Sequence, residues 1–306
     1  MNKLPKIIVI LGPTASGKTK LAIELAKKFN GEIISADSRQ IYKQMKIGTD
    51  RPDGKTQSNA YVVDKIKHHL MNCIQPNKGF SLADFKKKAE SSIKKIIAKG
   101  NNVFVAGGTG LYISALVDNF VIPKIKPDNA LRSDFERKTT IELAKMLEKI
   151  DADSAKLIDM KNRRRLIRAL EVATLTGGSF VKQRKKAKPI FNVLLIGILM
   201  DRDDIYERIN TRVDQQIQMG LFEEVISLLN KGLTWNMPSM SSLGYRQFKP
   251  YFNNEQDLGQ CIENLKRDTR HYAKRQISWF KRDKKIKWVN SEDRVQVYKM
   301  VEDFLS

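Results

Sequence analysis

The sequence predicts an α/β fold: a P-loop-type parallel sheet flanked by helices, with an inserted helical subdomain. Three observations predict it. Short apolar runs such as Ile7-Ile8-Val9-Ile10, "EIISA" and "VFVA" alternate with helical periodicity over the first third of the chain, the pattern of strands covered on both faces. The glycine-rich segment "GPTASGKT", Gly12 to Thr19, lies between the first apolar run and the first helix, where a phosphate-binding loop belongs. The alternation then stops near Pro123 and Pro127, and no strand-like run returns until Phe191. The expected division is an α/β core of residues 1–122 and 190–306 with a basic helical insertion of residues 123–189.

Each element follows from its local pattern. Ile7 to Leu11 reads as a buried strand, and Thr19 to Phe29 as a helix with Leu21, Leu25 and Ala26 at helical spacing. Glu32 to Ala36 is a second strand ending at Asp37, and His69 to Cys73 is a candidate third. Leu82 to Ala98 is a basic amphipathic helix stopped by Gly100, and Val103 to Ala106 is a strand ending in Gly107-Gly108. In the insertion, Asn129 to Thr176 is helical and strongly basic. Gly177-Gly178 and "KQRKKAK" (Lys182 to Lys188) then predict a mobile basic exit loop. Beyond it come a strand over Asn192 to Met200 and helices over Asp204 to Met219 and Leu221 to Asn230. A loop over Met237 to Phe248 leads to a long basic helix, Gln256 to Phe280. Ile286 to Val289 reads as a last strand and Val295 to Leu305 as a closing helix.

The loop fits G-x-x-x-x-G-K-[ST] with Gly12, Gly17, Lys18 and Thr19. Its glycines let backbone N–H groups turn toward phosphate oxygens at the positive end of a helix. Lys18 can neutralise the outer phosphate, and the Thr19 hydroxyl can reach a magnesium ion. Most such loops hold a nucleoside triphosphate, but a triphosphate hydrolase usually carries a carboxylate at a later strand end. Here "NVFVAGGTG" ends without one. Glycines there suit close approach of a ligand, Thr109 adds a hydroxyl, and the phosphate is expected to leave rather than to be transferred. Asp37 ends the second strand, and in a doubly wound sheet that point faces the loop. It can accept a proton from a nucleophile, hold magnesium, or cap a turn with Ser38. Arg208 and Arg212, one helical turn apart, can steady charge on phosphate oxygens or pair with Glu207 and Asp214.

Charge narrows the function class. Lys plus Arg number 56 against 34 Asp plus Glu, a net +22, an excess that suits a polyanion partner better than a small metabolite. Arg163, Arg164, Arg165 and Arg168 cluster on a helix, and Arg267, Arg270, Lys274 and Lys281 line another. The interleaved Tyr272, Trp279 and Phe280 are expected in the core. Adjacent His68 and His69 point to opposite strand faces, which favours packing over a metal. Cys73 and Cys261 show neither disulfide nor zinc spacing. No run reaches the roughly 18 apolar residues of a membrane span, and the short apolar run after Met1 to Lys6 is a strand, not a secretory signal. A cytoplasmic protein is expected. Two classes stand as alternatives to an enzyme acting on a nucleic acid: a small-molecule kinase, which the +22 charge disfavours, and a nucleic-acid-binding ATPase, which the carboxylate-free "VFVAGG" strand disfavours.

Taken together, "GPTASGKT", "SADSRQIYKQMKIGT", "HHLMNCIQP", "SLADFKKKA", "AGGTGLYISAL", "NRRRLIRALEV", "RVDQQIQMGLFEEV", "SSLGYRQF" and "TRHYAKRQISWFKRD" span almost the whole chain. In this order they resemble the tRNA dimethylallyltransferase family, the bacterial-type tRNA isopentenyltransferases. The resemblance implies transfer of a dimethylallyl group from dimethylallyl diphosphate to N6 of an adenosine beside the anticodon of tRNA. It implies that Gly12, Thr14, Ala15, Ser16, Gly17, Lys18 and Thr19 hold the diphosphate, with Mg2+ on Thr19. Asp37 would be the general base, with Thr19 and Arg212 completing the catalytic set. Contacts to the tRNA anticodon stem-loop would come from Asp37, Ser38, Arg39, Gln40, Thr109, Arg132, Arg164, Arg165, Arg168, Gly244, Tyr245, Arg246 and Gln247. The adenosine would be flipped out to reach the site. A monomer with no obligate protein partner is expected. The sequence departs from the family pattern at Arg39, where a small or apolar residue is usual, at Arg163, where proline is common, and in "GTDRP", which replaces an Ala-Lys pair. No Cys/His zinc-finger tail is present.

Overall fold

Apolar strands that must be covered on both faces build the centre of the molecule. The computed structural model describes residues 4–58, 60–123, 125, 128–183, 186–290 and 292–306. The chain divides into two units, Met1–Val117 with Ile190–Ser306, and Asp118–Pro189. In chain order the first unit opens with Lys6–Leu11 (β1), Lys18–Lys28 (α1) and Gly31–Ser35 (β2). Lys55–Gln57 (β3), Ala60–Val63 (β4), Ile66–His69 (β5), Leu82–Ile97 (α2), Asn102–Gly107 (β6) and Gly110–Val117 (α3) follow. The second unit contains Asn129–Glu136 (α4), Thr140–Ile150 (α5), Ala152–Leu157 (α6) and Arg163–Thr176 (α7). The first unit resumes with Asn192–Leu199 (β7), Arg202–Gln218 (α8), Leu221–Asn230 (α9), Lys249–Phe252 (α10), Leu258–Phe280 (α11), Lys287–Asn290 (β8) and Arg294–Leu305 (α12).

The sheet runs β3-β4-β5-β2-β6-β1-β7-β8. From β5 to β8 all pairings are parallel, with β1 between β6 (Ile8↔Phe104) and β7 (Ile8↔Leu194). The expected parallel sheet is corrected at one edge, where β3, β4 and β5 form an antiparallel meander. Asp64 and Lys65 both take positive φ, 49° and 68°, the geometry of a two-residue hairpin turn. The expected strand at His69 to Cys73 is also corrected, to Ile66–His69. Leu70 and Asn72 adopt left-handed φ, which ends the extended backbone. No element was expected for α3, a helix with little polar face.

Alternate residues of β1 enter opposite layers, as the two-residue strand period requires. Ile7, Val9 and Leu11 pack with Phe85, Ile93 and Ile96 of α2 and Leu116 of α3. Ile8 and Ile10 pack with Leu21 and Leu25 of α1 and Val297 and Val301 of α12. Ser81 and Asp84 form a capping box that starts α2. A third cluster joins Ile41, Tyr42 and Met45 to Leu221 and Val225 of α9, Tyr245, Phe248 and Leu265 of α11. It fixes the loops beyond the carboxyl ends of the strands.

In the second unit, the helical residues expected over Asn129 to Thr176 form four helices. Asp128, Thr139, Asp151 and Asn162 each cap one with a side-chain oxygen. Leu143, Leu147, Leu166 and Leu170 form its core with Phe135. Glu171 is fully buried there. It accepts from Arg132 Nε and Nη2 at 2.8 Å each, from the Asp128 N–H at 2.9 Å, and from Arg168 Nη1. Burial opposes its charge, but the Arg132 and Arg168 bonds hold its carboxyl below the usual range. Pro127, and Arg184 and Lys185 of the basic exit segment, lie outside the described residues. Lys186 pairs with Asp118 at 3.1 Å.

Candidate active site

The turn after β1 closes tightly because its residues permit it. Ala15 and Gly17 take left-handed φ of 66° and 80°, and a Cβ on Gly12 would lie 2.9 Å from Ser16 Oγ. The loop folds over Lys18, whose Nζ donates to Pro13 O at 3.0 Å. Lys18, Thr19 and Thr14 line one cavity of about 260 Å3 with Asp37, Ser38, Arg39, Gln40, Asp50, Arg212, Gly244 and Arg246. Asp37, half-buried at the end of β2, is held by an Asx turn: its Oδ1 accepts the N–H groups of Arg39 (2.8 Å) and Gln40 (3.2 Å). It is therefore both turn former and pocket residue. Among the described residues its Oδ2 has no hydrogen-bond partner, and the residue lines the cavity.

The electrostatics converge on Lys18. Burial depresses its pKa from 10.5 to about 8; Asp37 and Asp50 oppose that shift and Arg212 adds to it. Arg212, from α8, donates through Nη1 to Thr14 Oγ1 at 3.3 Å and pairs with Asp50 Oδ2 at 2.6 Å. Burial raises the Asp50 carboxyl, with Arg212 and Lys18 pulling it back. Arg208, one turn away, is exposed and lies off the cavity, so only one member of that pair turns inward.

Gly107 cannot carry a side chain, because its Cβ would meet Ala36 O at 2.3 Å. This contact seats β6 against the end of β2. Thr109 then reaches Ser38, whose N–H donates to its Oγ1 at 3.1 Å. The Tyr272 hydroxyl bonds Thr109; burial first, and then Asp37, push the phenol up to about 12. Tyr272 thus lines the site, against the expectation that it packs in the core.

Sequence reasoning missed Gln276. Its Oε1 accepts the Thr14 N–H at 2.8 Å and its Nε2 donates to Gly108 O at 2.8 Å, tying the phosphate loop to the loop after β6. Thr14 lines the cavity with its N–H occupied by Gln276 and its hydroxyl meeting Arg212. Thr269, Tyr272 and Gln276 are spaced i, i+3 and i+7 on α11, and all line the cavity. That polar stripe on an otherwise amphipathic helix was the available signal.

Other expected residues divide. Arg39 Nη1 donates to Pro238 O at 2.8 Å, so the unusual arginine bridges to the 237–248 loop. Gln40 Nε2 holds Asp50 O at 2.9 Å. Tyr245 is corrected: its side chain is completely buried and its hydroxyl donates to Glu224 Oε1 at 2.7 Å. Glu224, also missed, accepts the N–H groups of Lys46, Ile47 and Gly48 as well. Gln247 is buried and donates to Asp268 at 3.0 Å. Arg246 is exposed beside the cavity, and Gly244 uses φ 91° to pass Gly48. In the second unit Arg164 is exposed and Arg165 half-buried, while Arg132 and Arg168 serve Glu171. Arg163 donates to the carbonyls of Lys138 (2.5 Å) and Glu136 (2.6 Å) at the end of α4, a helix-closing role that proline could not fill. His68 is buried within the sheet region, and His69 bonds Glu32 at 2.6 Å.

Thr19 and Asp37 offer only hard oxygen donors, which suit magnesium, an ion that keeps water and phosphate ligands. Among the described residues no group of three or more His, Cys, Asp or Glu could hold a metal by itself. No described helix is long and apolar enough to cross a membrane.

A lysine-bearing glycine loop at the carboxyl edge of a parallel sheet, with a carboxylate lining the same cavity, is the arrangement in which α/β proteins receive phosphorylated ligands. Residues 40–283 match the IPP transferase family and residues 5–68 the isopentenyl transferase family. A tRNA dimethylallyltransferase of Acetivibrio thermocellus is 43% identical over 297 residues, 95% of this chain and 93% of that protein. The full-length tRNA isopentenylpyrophosphate transferase of Bacillus halodurans superimposes with TM-score 0.71 at 36% identity, over 98% of this chain and 95% of its own. A eukaryotic dimethylallyltransferase acting on tRNA superimposes with TM-score 0.77 at 28% identity, over 95% of this chain and 75% of its own. The chain belongs to the IPP transferase family.

Proposed function

We propose that this protein transfers the dimethylallyl group of dimethylallyl diphosphate to tRNA and releases diphosphate. The acceptor is N6 of the adenosine next to the anticodon, presented by the anticodon stem-loop. One observation carries this reading: Lys18, Arg212 and Asp37 face one cavity, while the adjoining strand end, Ala106-Gly107-Gly108, brings no carboxylate.

The loop residues, Lys18 and Arg212 bind the diphosphate and balance the charge that grows on it as the carbon–oxygen bond breaks. N6 attacks the allylic carbon, a carbon–nitrogen bond forms, and Asp37 Oδ2 takes the amine proton. The Asx turn keeps Asp37 aimed at the cavity during this step. Thr19, with Asp37 beside it, would hold Mg2+, which supplies further charge neutralisation on the diphosphate oxygens when bound. The flipped adenine passes Thr109, Ser38 and Tyr272 to reach the base.

The test uses labelled dimethylallyl diphosphate, magnesium and unmodified tRNA without ATP. Label enters the RNA with the unaltered protein. With Asp37→Ala transfer is lost, while tRNA affinity stays within about twofold, because one carboxylate adds nothing to phosphate binding. ATP turnover without RNA labelling would overturn the reading.

A further inference from the structure

The ion pair between Asp50 and Arg212 places a carboxylate where an anion must be received. The same Arg212 Nη1 serves Thr14 Oγ1 at 3.3 Å on the phosphate loop and Asp50 Oδ2 at 2.6 Å. Any phosphate seated on the loop and reaching Arg212 therefore meets Asp50. The side chain is half exposed, but the backbone that carries it is fixed. The Asp50 N–H donates to Ile47 O at 3.0 Å, its carbonyl accepts from Gln40 Nε2 at 2.9 Å, and its φ is 52°. The backbone is pinned, so the side chain alone can yield.

We propose that Asp50 is a built-in competitor of the donor's diphosphate for Arg212, and so determines how tightly the site holds diphosphate before and after the reaction. In the free protein it keeps Arg212 extended toward Thr14. On donor binding the guanidinium is shared between carboxylate and phosphate, and the two anions repel at short range. The repulsion weakens donor binding and, equally, hastens departure of the diphosphate product. Asp50 is thus an affinity-determining residue, distinct from the proton acceptor Asp37. This inference rests on the assignment of the cavity to a diphosphate.

Asp50→Asn removes the charge and keeps the shape, and asparagine tolerates the left-handed backbone. Titration calorimetry with inorganic diphosphate and magnesium compares the unaltered full chain, Asp50→Asn and Asp50→Glu. Asp50→Asn should bind diphosphate about fivefold more tightly, the scale of losing one half-exposed charge interaction. The KM for the donor should fall and product inhibition strengthen by the same factor. Asp50→Glu should stay near the unaltered protein. Equal or weaker diphosphate binding by Asp50→Asn, with an unchanged thermal melt, overturns the proposal and makes Asp50 a metal ligand or a structural pair. The readout needs no transfer to RNA. If the unaltered chain failed to bind diphosphate at all, both this inference and the proposed function would fall, a result distinct from the first.

Discussion

Burial works against charge at Lys18, and that sets a pH limit on the site. Its ammonium titrates near 8 in the free protein, with Asp37, Asp50 and Arg212 as the charged neighbours. Below that pH the lysine is charged and attracts diphosphate; above it the attraction is lost. Diphosphate affinity should therefore fall as pH rises through about 8, measured by calorimetry on the unaltered chain. Lys18→Met should weaken binding about tenfold or more at neutral pH, the scale of one charge-assisted hydrogen bond, and should flatten the profile. A slope that survives in Lys18→Met would assign the titration to another group. Asp37 shows why residue roles resist single labels: it forms a turn through Oδ1 and also lines the cavity.

Helix α11 acts at the next scale as a clamp across loops far apart in sequence. Replacing Gln276 with Leu leaves the Thr14 N–H and Gly108 carbonyl without their partner, which should cost about 1–3 kcal/mol for each group left unsatisfied. Chemical denaturation measures that loss, and the donor KM should rise as the phosphate loop loosens. An unchanged midpoint would show that water replaces the amide. Most strands and helices were legible because apolar runs and caps are local signals. The phosphate loop and Asp37 were legible for the same reason: a spacing motif and a strand end mark them. The meander of β3 to β5 was not, because its strands are three or four residues long and its turns rely on positive φ at Asp64 and Lys65. Gln276 and Glu224 were missed, and Tyr272 was assigned to the core, because their partners lie in other elements. Tyr245 was misplaced since a motif marks a position without saying which way its side chain points.

The net charge of +22 governs encounter with RNA at the scale of the whole molecule. tRNA affinity should fall steeply with salt, and log affinity should be linear in log salt concentration. Filter binding across a salt series checks this. Arg164 is exposed, and Arg164→Ala should reduce the slope by roughly one contact if that side chain meets a phosphate. Not every cation counted in the sequence is equally available. Arg132 and Arg168 answer to Glu171, a carboxylate with no exposure, and losing both would leave that buried charge with the Asp128 N–H alone. Part of the helical unit's positive charge is thus neutralised within its own fold.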